Sequence, residues 1–121
     1  MDSIKFLILD SKAGKYLEEM FDMAVEDLDT PVKITLAPPR KLAHLPKGYD
    51  GYLIHLSDTS EEAIEELRKA QHWCKIFGIF GGGVTVNLDY FDGGSHGVIT
   101  LTHASHMIRQ VQEAVYSRQE R

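Results

Sequence analysis

The feature that most constrains this chain is a regular alternation of short apolar runs with segments in which apolar residues recur at helical spacing. The run from Ile4 to Leu9 is almost wholly apolar, as is typical of a strand covered on both faces. Apolar residues between Leu17 and Leu28 then follow a helical period. This alternation predicts βα units on a mainly parallel sheet. Further strands are expected at Val32 to Ala37, Gly51 to Leu56, Lys75 to Phe80 and Val98 to Leu101.

Two more helices are predicted from capping residues followed by apolar spacing. Thr59 and Glu62 are spaced as a capping box before one helix, and Ser105 is expected to cap the last one. The inward residues of these helices are Ala63, Ile64, Leu67 and Ala70, and then Met107, Ile108, Val111, Ala114 and Val115.

The segments that connect the predicted strands and helices indicate how the βα units assemble. Three prolines in "PPRKLAHLPKG" leave room only for a short helix or an irregular crossover, and "VTVNLDYFDGGSHG" is expected to form an irregular or one-turn connection. We therefore predict one domain over residues 1–121. Its fold is a doubly wound α/β sandwich of the flavodoxin-like type, with five parallel strands in the order 2-1-3-4-5.

Composition limits the number of domains, the partners and the cellular location that are expected for this chain. A length of 121 residues with 43% hydrophobic content suits one compact domain, and a net charge of −5 disfavours nucleic acid or an anionic membrane as partner. The single cysteine, Cys74, excludes an internal disulfide. No signal peptide or membrane span is evident, so a cytoplasmic location is expected.

Ligands of such sheets sit beyond the carboxyl ends of the strands. The candidate ligand-binding residues there are Asp10, Ser57, Asp58 and the run Gly81, Gly82 and Gly83. Asp10, Ser57 and Asp58 could bind a ligand, yet helix capping is the simpler role for them. The glycines could let a phosphate or ring approach the backbone, or could form a turn with positive φ angles. Neither a GxGxxG fingerprint nor a P-loop is present.

Three histidines, His96, His103 and His106, form the densest group of potential metal ligands. A spacing of three would place His103 and His106 on one helix face, but the predicted cap at Ser105 would leave His103 before the helix. We therefore expect neither a metal site nor a cofactor.

The whole chain resembles the receiver domain of bacterial response regulators, since "YDGYLIH" is similar to that family's strand "YDLVILD". This resemblance puts His55 at the phosphoacceptor position. Receivers also have an acidic pair after the first strand, Thr or Ser after the fourth and a lysine after the fifth. Here the matches are Asp10 followed by Ser11, then Phe80 or Gly81, and no lysine after Lys75. The resemblance thus implies a pseudo-receiver that acts without phosphorylation.

Receivers often contact partners through the face built from their first, fourth and fifth elements. The resemblance therefore implies a protein partner or self-association, such as a homodimer, through the last helix and the turn at residues 90–97 near Phe91.

A second resemblance is to nucleoside deoxyribosyltransferase-like and TIR-like domains, carried by "YDGYLIHLSD", Glu65 and "KIFGIFGGG". It implies an alternative function, a nucleotide- or NAD-binding enzyme of the N-glycosidase or deoxyribosyltransferase type. Glu65 would be its catalytic carboxylate, Asn87 would contact the substrate, and the ligand would bind at Ser57, Asp58 and Gly81 to Gly83. Cobalamin-binding domains are a third relative, although Lys12 replaces their cobalt-ligating histidine. We favour the non-enzymatic regulatory module.

Overall fold

The strand β1 (Ile4–Leu9) lies inside a five-stranded, all-parallel sheet of order β2-β1-β3-β4-β5. The structure is a computed structural model, which describes residues 3–26, 28–38, 42–81 and 87–119. The predicted fold class and strand order are confirmed. The other elements are α1 (Gly14–Val25), β2 (Val32–Leu36), β3 (Gly51–His55), α2 (Glu61–Ala70), β4 (Lys75–Ile79), β5 (Gly93–Ser95) and α3 (Leu101–Gln119).

Alternate residues of β1 point into two separate cores because side chains alternate along a strand. Ile4, Phe6 and Ile8 pack with α1 and α3, and the Phe6 ring stacks on Phe21 of α1 at 4.9 Å. Leu7 and Leu9 pack on the other side with α2. Both faces of the central strand are therefore buried, as its apolar sequence predicted.

The prediction for the fifth strand is wrong, because β5 is Gly93–Ser95 and not Val98 to Leu101. Val98 is 77% exposed, and Leu101 begins α3. A Cβ atom at Gly94 would collide with the carbonyl oxygen of Gly78 in β4, so glycine is required for this pairing. The close approach of the β5 and β4 backbones therefore determines which residues form the edge strand, and a run of apolar residues does not indicate such an approach.

Two predicted helix caps are also wrong. Ser60 caps α2, its hydroxyl accepting a hydrogen bond from the Ala63 N–H at 3.2 Å, whereas the Thr59 hydroxyl donates to the Leu42 carbonyl at 2.9 Å. Thr100 lies at the start of α3, where its hydroxyl accepts from the His103 N–H at 3.3 Å, and Ser105 lies inside the helix. At α2 the cap is the hydroxyl of Ser60 because that of Thr59 is bonded to Leu42.

The connection from β2 to β3 contains no helix within its described residues, 37–38 and 42–50. Two buried side chains hold the end of this connection. The Tyr52 hydroxyl donates to the Pro46 carbonyl at 2.6 Å, and the Gln71 amide donates to the Tyr49 carbonyl at 3.1 Å. The segment from Pro46 to Tyr49 is therefore fixed against the α2 side of the sheet. Within the described ranges, no helix combines the length and apolar content that a membrane crossing requires.

Candidate functional site

An open cleft of about 330 Å³ lies at the carboxyl edge of the sheet, where α/β sheets usually hold ligands. Its floor comes from the ends of β1, β3 and β4, and its sides come from the start of α1 and the loop between β5 and α3. Most of the lining surface is apolar. The lining residues are Asp10, Lys12, Ala13, Tyr16, Leu17, His55, Ile79, Phe80, Gly81, His96, Gly97, Val98 and Ile99.

Asp10 is the carboxylate of this cleft, and it is only 7% exposed. Its Oδ1 atom accepts hydrogen bonds from the N–H groups of Lys12 and Ala13, each at 2.9 Å. One carboxylate oxygen is thus committed to shaping the entry to α1, close to the capping role that the sequence predicted.

His55 ends β3 and borders the cleft with its imidazole ring. The Nδ1 atom accepts from the Ser57 N–H at 3.2 Å and lies 2.7 Å from the Ser57 hydroxyl oxygen. Because a backbone N–H can only donate, Nδ1 is the acceptor in the contact with the Ser57 N–H. His55 therefore borders the cleft with an imidazole ring that is held by hydrogen bonds to Ser57.

Asp58 lies apart from the cleft, in the short 3-10 turn of residues 56–58. It is 5% exposed, and its Oδ2 atom accepts from the Ser11 N–H at 2.9 Å. The prediction that Asp58 caps α2 is wrong, since its carboxylate instead joins the loops after β1 and β3. Ser57 is exposed beside it and bonds His55.

Gly81 lines the cleft, whereas Gly82 and Gly83 fall outside the described residues. A Cβ atom at Gly81 would meet nothing within 4 Å. Among the described residues the positive φ angle belongs to Gly48, so the predicted positive φ is wrong at Gly81. Neither packing nor backbone conformation requires glycine at position 81.

The predicted histidine group is dispersed in the structure, since His96 and His103 contact different residues. The His96 ring tilts against Phe80 at a centroid distance of 5.1 Å, and the His103 Nδ1 accepts from the Thr100 N–H at 3.0 Å. His103 and His106 are both inside α3, contrary to the predicted helix start. In the part of the chain that the structure describes, no three His, Cys, Asp or Glu side chains are placed to share a metal ion.

Glu65 is on α2 and does not line the cleft. Its carboxylate pairs with Lys69 at 2.9 Å, and this hydrogen-bonded ion pair lowers the pKa of Glu65. Asn87 is also remote, capping a 3-10 turn through its side chain, which accepts from the Asp89 N–H at 3.0 Å. The structure thus brings together Asp10, His55 and Gly81, but adds neither Glu65 nor Asn87 to them.

The apolar walls of the cleft are not indicated by any motif in the sequence. Tyr16 is 57% exposed and Val98 is 77% exposed, so two large apolar side chains border the opening from α1 and from the loop before α3. Tyr16 precedes the inward residue Leu17 on the helix, and the sequence predicts a strand at Val98. Neither side chain carries a metal-binding or nucleophilic group that would mark it as part of a site.

The predicted contact surface lies beside this cleft. The half-buried Phe91 packs edge-on against Phe80 at 5.3 Å, and the turn at residues 90–97 continues into the loop that holds His96 and Val98. Leu101, at the start of α3, is 47% exposed. Whether a partner binds here stays a prediction.

Together, the sheet order and the cleft at the strand ends define a receiver-like fold of the flavodoxin-like α/β type. No protein-family model matches the chain, and no curated protein matches it in sequence.

Solved structures show the same fold. A CheY-like response regulator receiver domain protein from Methanospirillum hungatei JF-1 has a TM-score of 0.60 at 12% identity, over 96% of this chain and 99% of that one. A response regulator receiver domain protein from Clostridium thermocellum has a TM-score of 0.66 at 10% identity, over 96% and 97%. The lysine decarboxylase LdcF of Francisella novicida has a TM-score of 0.61 at 6% identity, and the match spans 93% of this chain but only 17% of that enzyme. At these identities the likeness concerns the fold.

Proposed function

We propose that this domain is a regulatory module of signal transduction that acts through protein contacts and without phosphorylation. The observation that carries the proposal is His55, an imidazole that lines the cleft and that the resemblance to receivers matches to their acceptor carboxylate. An imidazole offers no oxygen nucleophile that could form an aspartyl phosphate.

The surroundings of His55 support the same conclusion. Asp10 stands without a second carboxylate in the cleft, because the Asp58 carboxylate is bonded to the Ser11 N–H. Phe80 and Gly81, the two residues that the resemblance matches to the Thr or Ser of receivers, both line the cleft and carry no hydroxyl group. Developing charge on a phosphoryl group needs metal ions or cationic donors, and a largely apolar cleft supplies few of them.

Phosphodonor chemistry gives a direct test. The protein is incubated with acetyl phosphate and magnesium, and its intact mass is measured beside that of a receiver with a complete site as positive control. We expect no added phosphoryl group on this chain. We also expect His55→Asp to remain unlabelled, because the variant restores only the acceptor. Stoichiometric labelling of the wild-type protein, on His55 or elsewhere in the cleft, would contradict the proposal.

The contact part of the proposal rests on the apolar side chains around the cleft. Val98 and Leu101 are exposed next to the 90–97 turn, where burial by another chain would remove apolar surface from water. Self-association is the case to test first, by light scattering across a range of protein concentrations. We expect a dimer that Val98→Glu dissociates. The control Leu88→Glu changes a residue of similar exposure, 60%, outside this cleft and should leave the dimer intact.

A further inference from the structure

A second pocket lies at the opposite end of the strands from the cleft, and lysines dominate its lining. Lys5 of β1 and Lys33 of β2 are direct partners in the parallel ladder. Thr35 is two residues beyond Lys33, so it lies on the same face of the sheet as both lysines. This is the face that carries Leu7 and the core under α2.

The opposite wall of the pocket consists of Lys47, Gly48 and Tyr49. Gly48 has a φ angle of 98°, a left-handed conformation that favours glycine, and its N–H donates to the Gln71 side chain. Gln71 is 6% exposed and also binds the Tyr49 carbonyl. The wall is therefore held in position by a buried amide and needs little reorganisation to receive a ligand.

The pocket is open because the described part of the chain places no helix over this face of β2, whereas parallel strands are usually covered on both faces. In a doubly wound sheet the connection from β2 to β3 normally supplies a helix there. The described residues of this connection, 37–38 and 42–50, contain none. The uncovered strand positions carry Lys33 and Thr35 in place of apolar residues.

The charge of the pocket is unbalanced. Among the described residues, its lining consists of three lysines with Thr35, Gly48 and Tyr49, although the chain carries a net charge of −5. The Asp50 carboxylate, next to Tyr49, accepts from the Lys5 N–H at 2.9 Å and is paired with Arg118. Like charges directly opposite each other on neighbouring strands are destabilising. Within the described ranges, Lys5 and Lys33 form no ion pair, and Lys47 reaches Glu66 only at 3.9 Å between exposed side chains.

We propose that this pocket binds a small phosphate-type anion carrying one or two phosphoryl groups. Its volume of about 200 Å³ equals that of roughly six or seven water molecules, which fits such an anion. Three ammonium groups act as point charges that suit a multiply charged phosphate, and no arginine is among the described lining residues to offer the fork that suits a single carboxylate. Thr35 and Tyr49, two residues with hydroxyl groups, complete the lining beside Gly48. This site is independent of the proposed regulatory function.

Calorimetric titration with inorganic pyrophosphate, and separately with orthophosphate, tests the proposal at constant ionic strength set with chloride. We expect saturable binding of one anion per chain. Lys33→Gln and Lys5→Gln should each weaken it roughly ten- to hundredfold, because each removes one charge-assisted hydrogen bond. The preferred anion would show whether one or two phosphoryl groups are bound.

The matched control is Lys15→Gln, which removes the same charge from an exposed position on α1, on the other side of the sheet. Thermal unfolding in chloride buffer separates binding from folding. Lys33→Gln should leave the melting temperature unchanged or raise it without the anion, and should abolish the increase that pyrophosphate gives the wild type. Absence of saturable binding, or equal binding by Lys15→Gln and Lys33→Gln, would overturn the site.

Discussion

Arg118, near the end of α3, connects that helix to the amino-terminal end of β3. Its guanidinium donates to the Asp50 Oδ1 at 2.7 Å and lies 4.1 Å from the centroid of the Trp73 ring. The change Arg118→Gln keeps most of the hydrocarbon stem and removes the charge. It therefore isolates the contribution of these two contacts to the free energy of unfolding.

The magnitude follows from three terms. The charged hydrogen bond contributes about 1.5 kcal/mol, the lower end of its usual range, because the Arg118 side chain is 31% exposed. The contact with Trp73 adds about 0.5–1 kcal/mol. Against these, the buried Arg118 Nε has no hydrogen-bond partner in the described structure, and its removal recovers about 1 kcal/mol. We expect a net loss of about 1 kcal/mol.

Urea unfolding followed by fluorescence measures this loss, since Trp73 is the single tryptophan of the chain. Arg109→Gln, an exposed arginine on the same helix, is the control and should change the free energy by less than about 0.5 kcal/mol. High salt should reduce the difference between the two variants. Equal midpoints and slopes for the two variants, with unchanged native Trp73 fluorescence, would refute the reasoning.

Three further predictions concern other parts of the fold. Gly94→Ala should disrupt pairing of β5 with β4, seen as faster amide exchange there, whereas Gly97→Ala, with no atom near its Cβ position, should be neutral. Burial raises the pKa of Tyr52 to about 12, above its unfolded value of 10.0. Stability should therefore fall as the pH rises from about 10 to 12, and Tyr52→Phe should reduce that fall in pH-dependent denaturation. Cys74 is 1% exposed and burial raises the pKa of its thiol, so a thiol reagent should react with it only after unfolding.

The fold could be predicted from sequence wherever burial alone selects the residues. The strands β1, β3 and β4 lie inside the sheet and are largely buried, β2 lies at its edge with only partial burial, and each of the four begins at the residue predicted. The fifth strand could not be found this way, because Gly94 is required there by the closeness of the Gly78 carbonyl oxygen and of the Phe80 ring. Val98 is apolar but exposed, and the spacing of apolar residues does not show whether a given residue is buried.

The candidate site was predictable to the extent that topology fixes it. Parallel strands bring their carboxyl ends to one edge, so Asp10 and His55 meet in the cleft as expected. The sequence could not show where Asp58 directs its carboxylate, since its partner is a backbone N–H 47 residues earlier. The lysine pocket was missed for a similar reason, because Lys5 and Lys33 become neighbours only through strand pairing.

The ring of Phe80 lies against Gly78 and Gly94, and this packing restricts which substitutions these three positions can accept during evolution. The three atoms nearest to a Cβ atom at Gly78 would belong to the side chains of Phe80 and Phe91, so a smaller residue at position 80 would relieve the tightest contacts of an alanine at position 78. A Cβ atom at Gly94 would meet a backbone oxygen, which no substitution elsewhere can remove. In related sequences, residues 78 and 80 should therefore vary together, while position 94 stays glycine as long as β5 pairs with β4.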